Sequence, residues 1–411
     1  MAVRRILIVA VNYWPEPTGT APYTTGLAEH LVTRDWEVKV VTTMPYYPTS
    51  SVFAEYRSAA WRKELVNGVR ILRGRPYVLN RQTAFARALL EASFLLSSGP
   101  LIAGAAPDLV LGISPGISSA LLALAAARIY RVPLALWIQD LLGAGAIQSG
   151  VPGGQTIGSA ATLVEGWIAR QADRIAIISQ SFRPYLAAAG VSADRISRIR
   201  NWTHIGRATR SREAVRADFG LGSSDWICLH AGNMGYKQGL ENIVDCARLA
   251  QSVAPDLTFV LLGDGNQRAM LEERGRHLPN LRFLPTQSNE QFANALAMAD
   301  VLLVNQRASV TSMSLPSKLT SYLAADRPIV AAVSSGEVAS LLTEVGAGAV
   351  VPPESPAALL EQLVSLRRQP TLAAEMAARG AEYARTVLSP GQTLTALERF
   401  VGGQDDRGSP V

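Results

Sequence analysis

Cysteine and histidine are both scarce, at two Cys and four His in 411 residues. Cys228 and Cys246 have no C-x-x-C spacing and no Cys/His cluster around them, which excludes a disulfide framework and a structural zinc site. Two small apolar core residues are what remains of them. No histidine falls at a strand end in the first half: His30 sits in a helical stretch, His204 in a connecting segment, His230 and His277 in the second half. A His-based nucleophile or triad therefore has no footing there. The loop after the first strand lacks G-x-G-x-x-G, the dinucleotide fingerprint, and no stretch ends in the Gly-Lys-Ser/Thr of a Walker A loop, which disfavours nucleotide hydrolysis. A signal peptide is missing too, since Met1-Ala2-Val3-Arg4-Arg5 runs straight into an apolar strand; a cytoplasmic chain is expected. The longest uncharged stretch, 92–107, is shorter than the roughly 20 residues of a spanning helix and is interrupted by Gly99-Pro100, so no transmembrane helix is expected.

What is present is a chain 48% hydrophobic, long enough for two packed cores. Strand-like runs at 6–11, 38–42, 109–113, 134–138 and 175–178 alternate with helical spacing at 23–33, 85–103, 117–130 and 156–171. The pattern pauses at 199–206, where an interdomain linker is expected. It then repeats with strands at 226–231, 258–262, 281–284, 301–304 and 329–333 and helices at 242–252, 267–276, 291–299 and 318–325. Such alternation implies parallel sheets covered on both faces, in two α/β, Rossmann-like, doubly wound halves. The expected domains are 1–200 and 201–387, with a last helix at 388–402 crossing back to the first and a disordered polar tail at 403–411. The formal charge is +6, with Arg57, Arg62, Lys63, Arg70, Arg73, Arg75, Arg81 and Arg87 gathered in the first half. An anionic partner follows; nucleic-acid motifs are absent, whereas a basic face beside the apolar 94–106 segment suits peripheral contact with an anionic membrane. A solvated basic surface over a core helix explains the same pattern equally well.

In open parallel sheets, ligands bind outside the carboxyl ends of the strands, so chemistry is expected on the strand-end loops. In the first, Val11 to Thr20, Thr18, Gly19 and Thr20 can offer backbone amides to an anion ahead of a helix, although a tight Pro/Gly turn needs nothing more. The loop 229–241 is the most informative: Gly232, Asn233 and Gly235 let backbone approach a diphosphate, and Lys237 can set a full charge beside it. Gly263 and Gly265 follow the next strand, as a sharp turn or a close approach to ligand. Ser314, Leu315, Pro316 and Lys318 precede a helix whose first amides can cradle phosphate. In the first half, strand 134–138 ends at Gln139-Asp140, with Gly143, Gly145 and Gly150 beyond it. Asp140 can orient an acceptor hydroxyl or draw its proton, or simply cap the turn.

Four stretches, Asn12-Tyr13-Trp14-Pro15-Glu16-Pro17-Thr18-Gly19, Pro45-Tyr46-Tyr47-Pro48, 231–241 and Ser314-Leu315-Pro316-Ser317-Lys318-Leu319, carry a resemblance to retaining glycosyltransferases of family 4. It covers essentially the whole chain and runs most clearly to the colanic-acid-biosynthesis type, often described as fucosyltransferases. The resemblance implies a GT-B fold, with two Rossmann-like domains facing across a cleft. It implies a GDP- or UDP-linked sugar as donor, no cofactor and no metal, with the diphosphate against Lys237 and the amides near Gly19, Ser314 and Leu315. The acceptor it implies is lipid-linked or oligosaccharide, in exopolysaccharide or cell-surface glycan synthesis. Two positions depart from the family pattern: Asn233 stands where an Arg commonly follows Gly232, and Ser321 stands where the ribose-binding Glu falls. A sugar-nucleotide epimerase and a catalytically degenerate GT-B partner subunit are the competing readings; a nicotinamide oxidoreductase ranks below both for want of the fingerprint.

Overall fold

A computed structural model describes residues 4–79, 83–143, 154–203, 205–310 and 317–404. It forms two compact units, residues 1–200 with 391–411, and residues 201–390. The first contains β1 (Arg5–Val9), α1 (Ala21–Thr33), β2 (Glu37–Thr43), β3 (Trp61–Val66), β4 (Val69–Gly74), α2 (Ala84–Ser98) and β5 (Leu109–Ile113). It continues through α3 (Ile117–Tyr130), β6 (Leu134–Ile138), α4 (Gly154–Gln171), β7 (Arg174–Ile177), α5 (Arg183–Ala188) and β8 (Ile196–Arg198). The second unit opens with α6 (Arg212–Asp218), β9 (Trp226–Ala231), α7 (Glu241–Val253), β10 (Leu257–Leu262), α8 (Arg268–Gly275) and β11 (Leu281–Leu284). Then come α9 (Asn289–Ala297), β12 (Val301–Asn305), α10 (Ser317–Ala324), β13 (Ile329–Ala332), α11 (Glu337–Val345) and β14 (Gly348–Val351). The helices α12 (Pro356–Arg367) and α13 (Pro370–Thr386) complete that unit, and α14 (Pro390–Gly402) returns to the first.

The second sheet runs β11-β10-β9-β12-β13-β14, all parallel. This is the 3-2-1-4-5-6 order of doubly wound nucleotide-binding sheets, whose strand order reverses between β9 and β12. Its four central strands are buried on both faces, as a parallel sheet between helices requires. Ile227, Leu229, Val260, Leu262, Leu302 and Val304 enter one core, while Cys228, Phe259, Leu261, Val301 and Leu303 enter the other. Cys228 and Cys246 are free and buried. The first sheet, β3-β4-β2-β1-β5-β6-β7-β8, contains the same order with a reversal between β1 and β5.

The hairpin β3–β4, the one antiparallel pair among the described strands, was absent from the sequence expectation. Its Asn67-Gly68 turn puts both residues at positive φ, 49° and 79°, the conformation of a two-residue type I′ turn. Arg62 and Lys63 on the edge strand β3 discourage pairing with another chain. The elements α11, β14 and α12 were also missed. The α-helix ends at Ser98, before Gly99-Pro100, and a 3-10 turn, Gly99–Ile102, continues its course. Taken together, Phe85–Ile102 is long and apolar enough to cross a membrane by length and composition, yet Leu90 and Phe94 are buried in the first core.

The last helix is fastened by its polar contacts as well as by buried Leu397, Phe400 and Val401. Glu398 lies 2.9 Å from His30 and 3.3 Å from Arg34, and the Arg174 guanidinium donates to the carbonyls of Phe400 and Val401. A cation there also complements the negative end of the helix dipole.

In the second unit, the loops after β9 and β10 touch backbone to backbone. Gly263 has φ +135°, and a Cβ there would lie 2.0 Å from the Gly232 carbonyl oxygen. Gly263→Ala is expected to destabilise this unit by about 2–4 kcal/mol, read as a lowered denaturation midpoint at unchanged m-value.

Candidate functional site

The reversal point of the second sheet lies where the β9–α7 loop meets the end of β12. The loop is held from three sides. Toward β10, Gly232 N–H donates to Leu262 O and Met234 N–H to Asp264 O, both at 2.8 Å, and Gln267 N–H donates to Met234 O at 2.9 Å. Gly265 has no room for a Cβ, which would sit 2.5 Å from Met234 O. The two glycines thus have a packing reason that needs no ligand. Toward β12, the Asn305 amide donates to the carbonyls of Gln238 (2.7 Å) and Gly239 (2.8 Å) and accepts from the Asn242 amide. The Arg307 guanidinium donates to Tyr236 O at 2.8 Å, pairs with Glu241 and lies 4.1 Å from the centre of the Tyr236 ring. Its backbone N–H donates to Lys237 O at 3.0 Å. From α10, the Tyr322 hydroxyl both donates to Ala231 O and accepts from Ala231 N–H.

Two lysines bring charge to this loop. Lys237 is half-buried, and its ammonium pairs with no described residue. Lys318 comes up from α10, its Nζ 3.4 Å from where a Gly232 Cβ would lie and 3.3 Å from His230 Nε2. His230 Nδ1 faces Leu303 O at 3.3 Å, so the imidazole donates there and turns its Nε2 lone pair to the lysine. Burial, then the Lys318 charge, hold the imidazole well below its usual range and therefore neutral. Burial pushes Lys318 down to about 8. The structure therefore brings Gly232, Asn233, Gly263, Gly265 and Lys318 into one small region, with Lys237 on the same loop. Ser321 is buried in α10, at 4% exposure. Ser314, Leu315 and Pro316, like Arg81, Gly145, Gly150 and His204, lie outside the described residues. Asn305 and Arg307 were missed in the sequence, although they lie at and just past the end of the strand beside β9.

In the first unit the motif stretches around Pro15 and Tyr46 are joined by one carboxylate. Glu16, 4% exposed, accepts from the backbone N–H groups of Tyr46 and Tyr47 at 2.8 Å and from the Asn12 amide at 2.7 Å. Burial pushes its pKa up, and these three donors oppose the rise. Arg73, fully buried, braces the same region through Glu64, Thr43 O and Trp14 O. Thr18 and Gly19 are exposed on this loop, Gly19 at φ +71° beside the Tyr47 ring. At the reversal between β1 and β5, Glu91 accepts from Ser118 N–H at the start of α3 and pairs with Arg87 at 2.6 Å.

Asp140 is exposed after β6, and its carboxylate accepts from the next amide, Leu141 N–H, at 2.8 Å. Behind it Glu165 accepts from Leu142 N–H (2.7 Å) and Gly143 N–H (3.0 Å). Burial, with smaller repulsion from Asp140 and Glu91, raises Glu165 to about 7 from 4.5. Folding therefore favours the protonated form, and stability contributed by this group falls as pH rises from about 4.5 to 7, by up to roughly 3 kcal/mol. Glu165→Gln is expected to remove that slope, seen as a flatter plot of melting temperature against pH between 5 and 7 than in wild type.

The family described as "Glycosyl transferase 4-like domain" matches residues 18–202, and "Glycosyl transferases group 1" matches residues 211–387. WcaI of Escherichia coli (strain K12), which carries the name of a colanic acid biosynthesis glycosyl transferase, is 33% identical over 396 residues, covering 91% of this chain and 96% of that one. Among solved structures, sucrose-phosphate synthase from Thermosynechococcus elongatus superposes with TM-score 0.76 at 16% identity, covering 97% of this chain and 98% of that one. Anabaena HepE in complex with UDP-glucose gives 0.68 at 16% identity, over 97% and 99% of the two chains. WaaG, a glycosyltransferase involved in lipopolysaccharide biosynthesis, gives 0.66 at 15% identity, over 97% and 100%.

Proposed function

Since the chain belongs to the GT-B glycosyltransferases built from a 4-like and a group 1 domain, we propose that it transfers a hexose from a GDP- or UDP-linked sugar to a lipid-linked saccharide with retention of configuration. The observation that carries the donor half of this reading is the braced β9–α7 loop, with two lysines beside it at the sheet's reversal point. Such a loop is preorganised: its carbonyls are already occupied by Asn305 and Arg307, so binding costs little ordering of backbone. Lys237 and Lys318 offset the charge that builds on the departing diphosphate, and that stabilisation, with positioning, supplies the acceleration; no metal is needed.

The first domain holds the acceptor. Exposed Asp140 orients or deprotonates its hydroxyl, and Thr18 and Gly19, packed beside the Tyr47 ring on the loop after β1, offer backbone amides in the same domain. The reading of a chain at the inner face of an anionic membrane is supported by α2. Phe85, Ala88, Ala92 and Leu96 form an exposed apolar stripe at helical spacing. Exposed Trp61 and Tyr77 flank it, hydrogen-bonded to Ser97 O and the Ser93 hydroxyl.

UDP or GDP at about 100 times its Kd is expected to raise the unfolding free energy by about 2.7 kcal/mol, and NADH to leave it unchanged. Lys237→Ala should abolish that shift and lower sugar transfer about 100-fold. Stabilisation by neither nucleotide, or by NADH alone, contradicts the reading. Affinity should also decline as pH rises through about 8, where Lys318 loses its proton, and Lys318→Arg should remove that decline in a titration from pH 7 to 9.

A further inference from the structure

At the amino ends of the first sheet's strands lies a cavity of about 210 Å³ that none of the transfer chemistry uses. Arg5 on β1, Lys39 on β2, Lys63 on β3 and Arg70 on β4 line it, and the chain from Ile102 to Pro107 closes it. Register explains the convergence. Lys39 pairs with Leu7 and Arg70, and Arg70 with Leu65, two residues from Lys63, so the three cations project from one face of the sheet. Glu37 is the one carboxylate in the lining, and Arg70 already engages it at 3.4 Å.

The cavity is built around Lys39. Its ammonium donates to Ile102 O (3.1 Å) and Ala103 O (2.7 Å), which leaves its third N–H for a ligand. Gly104, at φ +144°, keeps the space beside the ammonium open, since a Cβ there would come within 3.3 Å of Nζ. The side chains of Arg5 and Lys63 form no ion pair with any described residue. Burial, and to a lesser extent the neighbouring charges of Arg70 and Lys63, hold the Lys39 pKa below its usual value. Exposed Leu65 and Ala103 put apolar surface on the rim.

We propose that this cavity binds a phosphate group, seated on Lys39 with Arg5, Lys63 and Arg70 around it, at a site separate from the strand-end loops. The same chemistry is presented by an anionic lipid headgroup and by free phosphate, and the apolar rim suits the former. The site is independent of the transfer reaction, because none of its residues lies at a carboxyl strand end.

Full-length protein titrated with inorganic phosphate in a calorimeter, and sedimented with phosphatidylglycerol or phosphatidylcholine vesicles, separates the two sources. Lys63→Glu, on the exposed edge strand, and Lys39→Met should each weaken binding by roughly tenfold or more, with the thermal response to UDP or GDP unchanged. Sedimentation with phosphatidylglycerol alone, lost in Lys63→Glu, assigns a lipid headgroup; phosphate heat without vesicle binding, lost in the same variants, assigns a free phosphate. Wild type that binds neither, or variants that bind as wild type does, overturn the site. The nucleotide response is read in the same samples, so a failed donor reading is seen separately.

Discussion

The structure of the second domain turns on a contact that leaves no room for side chains: the backbone after β9 lies on the backbone after β10. Cβ atoms at Gly263 and Gly265 would fall 2.0 and 2.5 Å from carbonyl oxygens of the facing loop. Two hydrogen bonds from Gly232 and Met234 make that proximity favourable rather than merely tolerated. Once the loop is fixed there, Gly232 faces Lys318, and Asn305 and Arg307 add side-chain donors to the loop carbonyls of Gln238, Gly239 and Tyr236. The groups proposed to bind the donor are thereby held in place by the fold itself.

The first domain reaches a comparable rigidity by a different route, with buried charge. Glu16 and Arg73 are nearly or wholly excluded from solvent, and each is surrounded by backbone partners. Burying such groups is costly unless every hydrogen-bonding position is filled, and removing one partner leaves the other uncompensated. The charges therefore tie the loop after β1 to the one after β2 in one arrangement. The pattern Asn12 to Gly19 with Pro45 to Pro48 is thus explained by structure first: Glu16 is the residue that makes the two stretches one unit.

Much of the fold was legible because a parallel sheet covered on both faces writes itself as continuous apolar runs. The strands β5, β6, β9 and β11 coincide with the runs read from the sequence. The hairpin β3–β4 was overlooked because its residues alternate with Arg and Lys and were read as charge, although Asn67-Gly68 is a strong turn signal. Lys237, Gly232 and Lys318 were picked out as candidates from local pattern, since glycine and lysine at a strand end are visible in one stretch of chain. Asn305 and Arg307 were not, because their role depends on β12 lying next to β9, about 75 residues away in sequence, and that adjacency comes from topology alone. The glycines after β10 could not be told apart from ligand-facing ones, since the backbone they touch belongs to another loop.

The central claim is that the braced β9–α7 loop receives the diphosphate of the donor. Hydrogen exchange read by mass spectrometry on peptides spanning residues 229–241, with and without saturating UDP or GDP, tests it most directly. The account predicts slower exchange at residues 232–240 with the nucleotide that binds. Binding that leaves these amides exchanging as in the free protein, with protection confined to other segments, would contradict it.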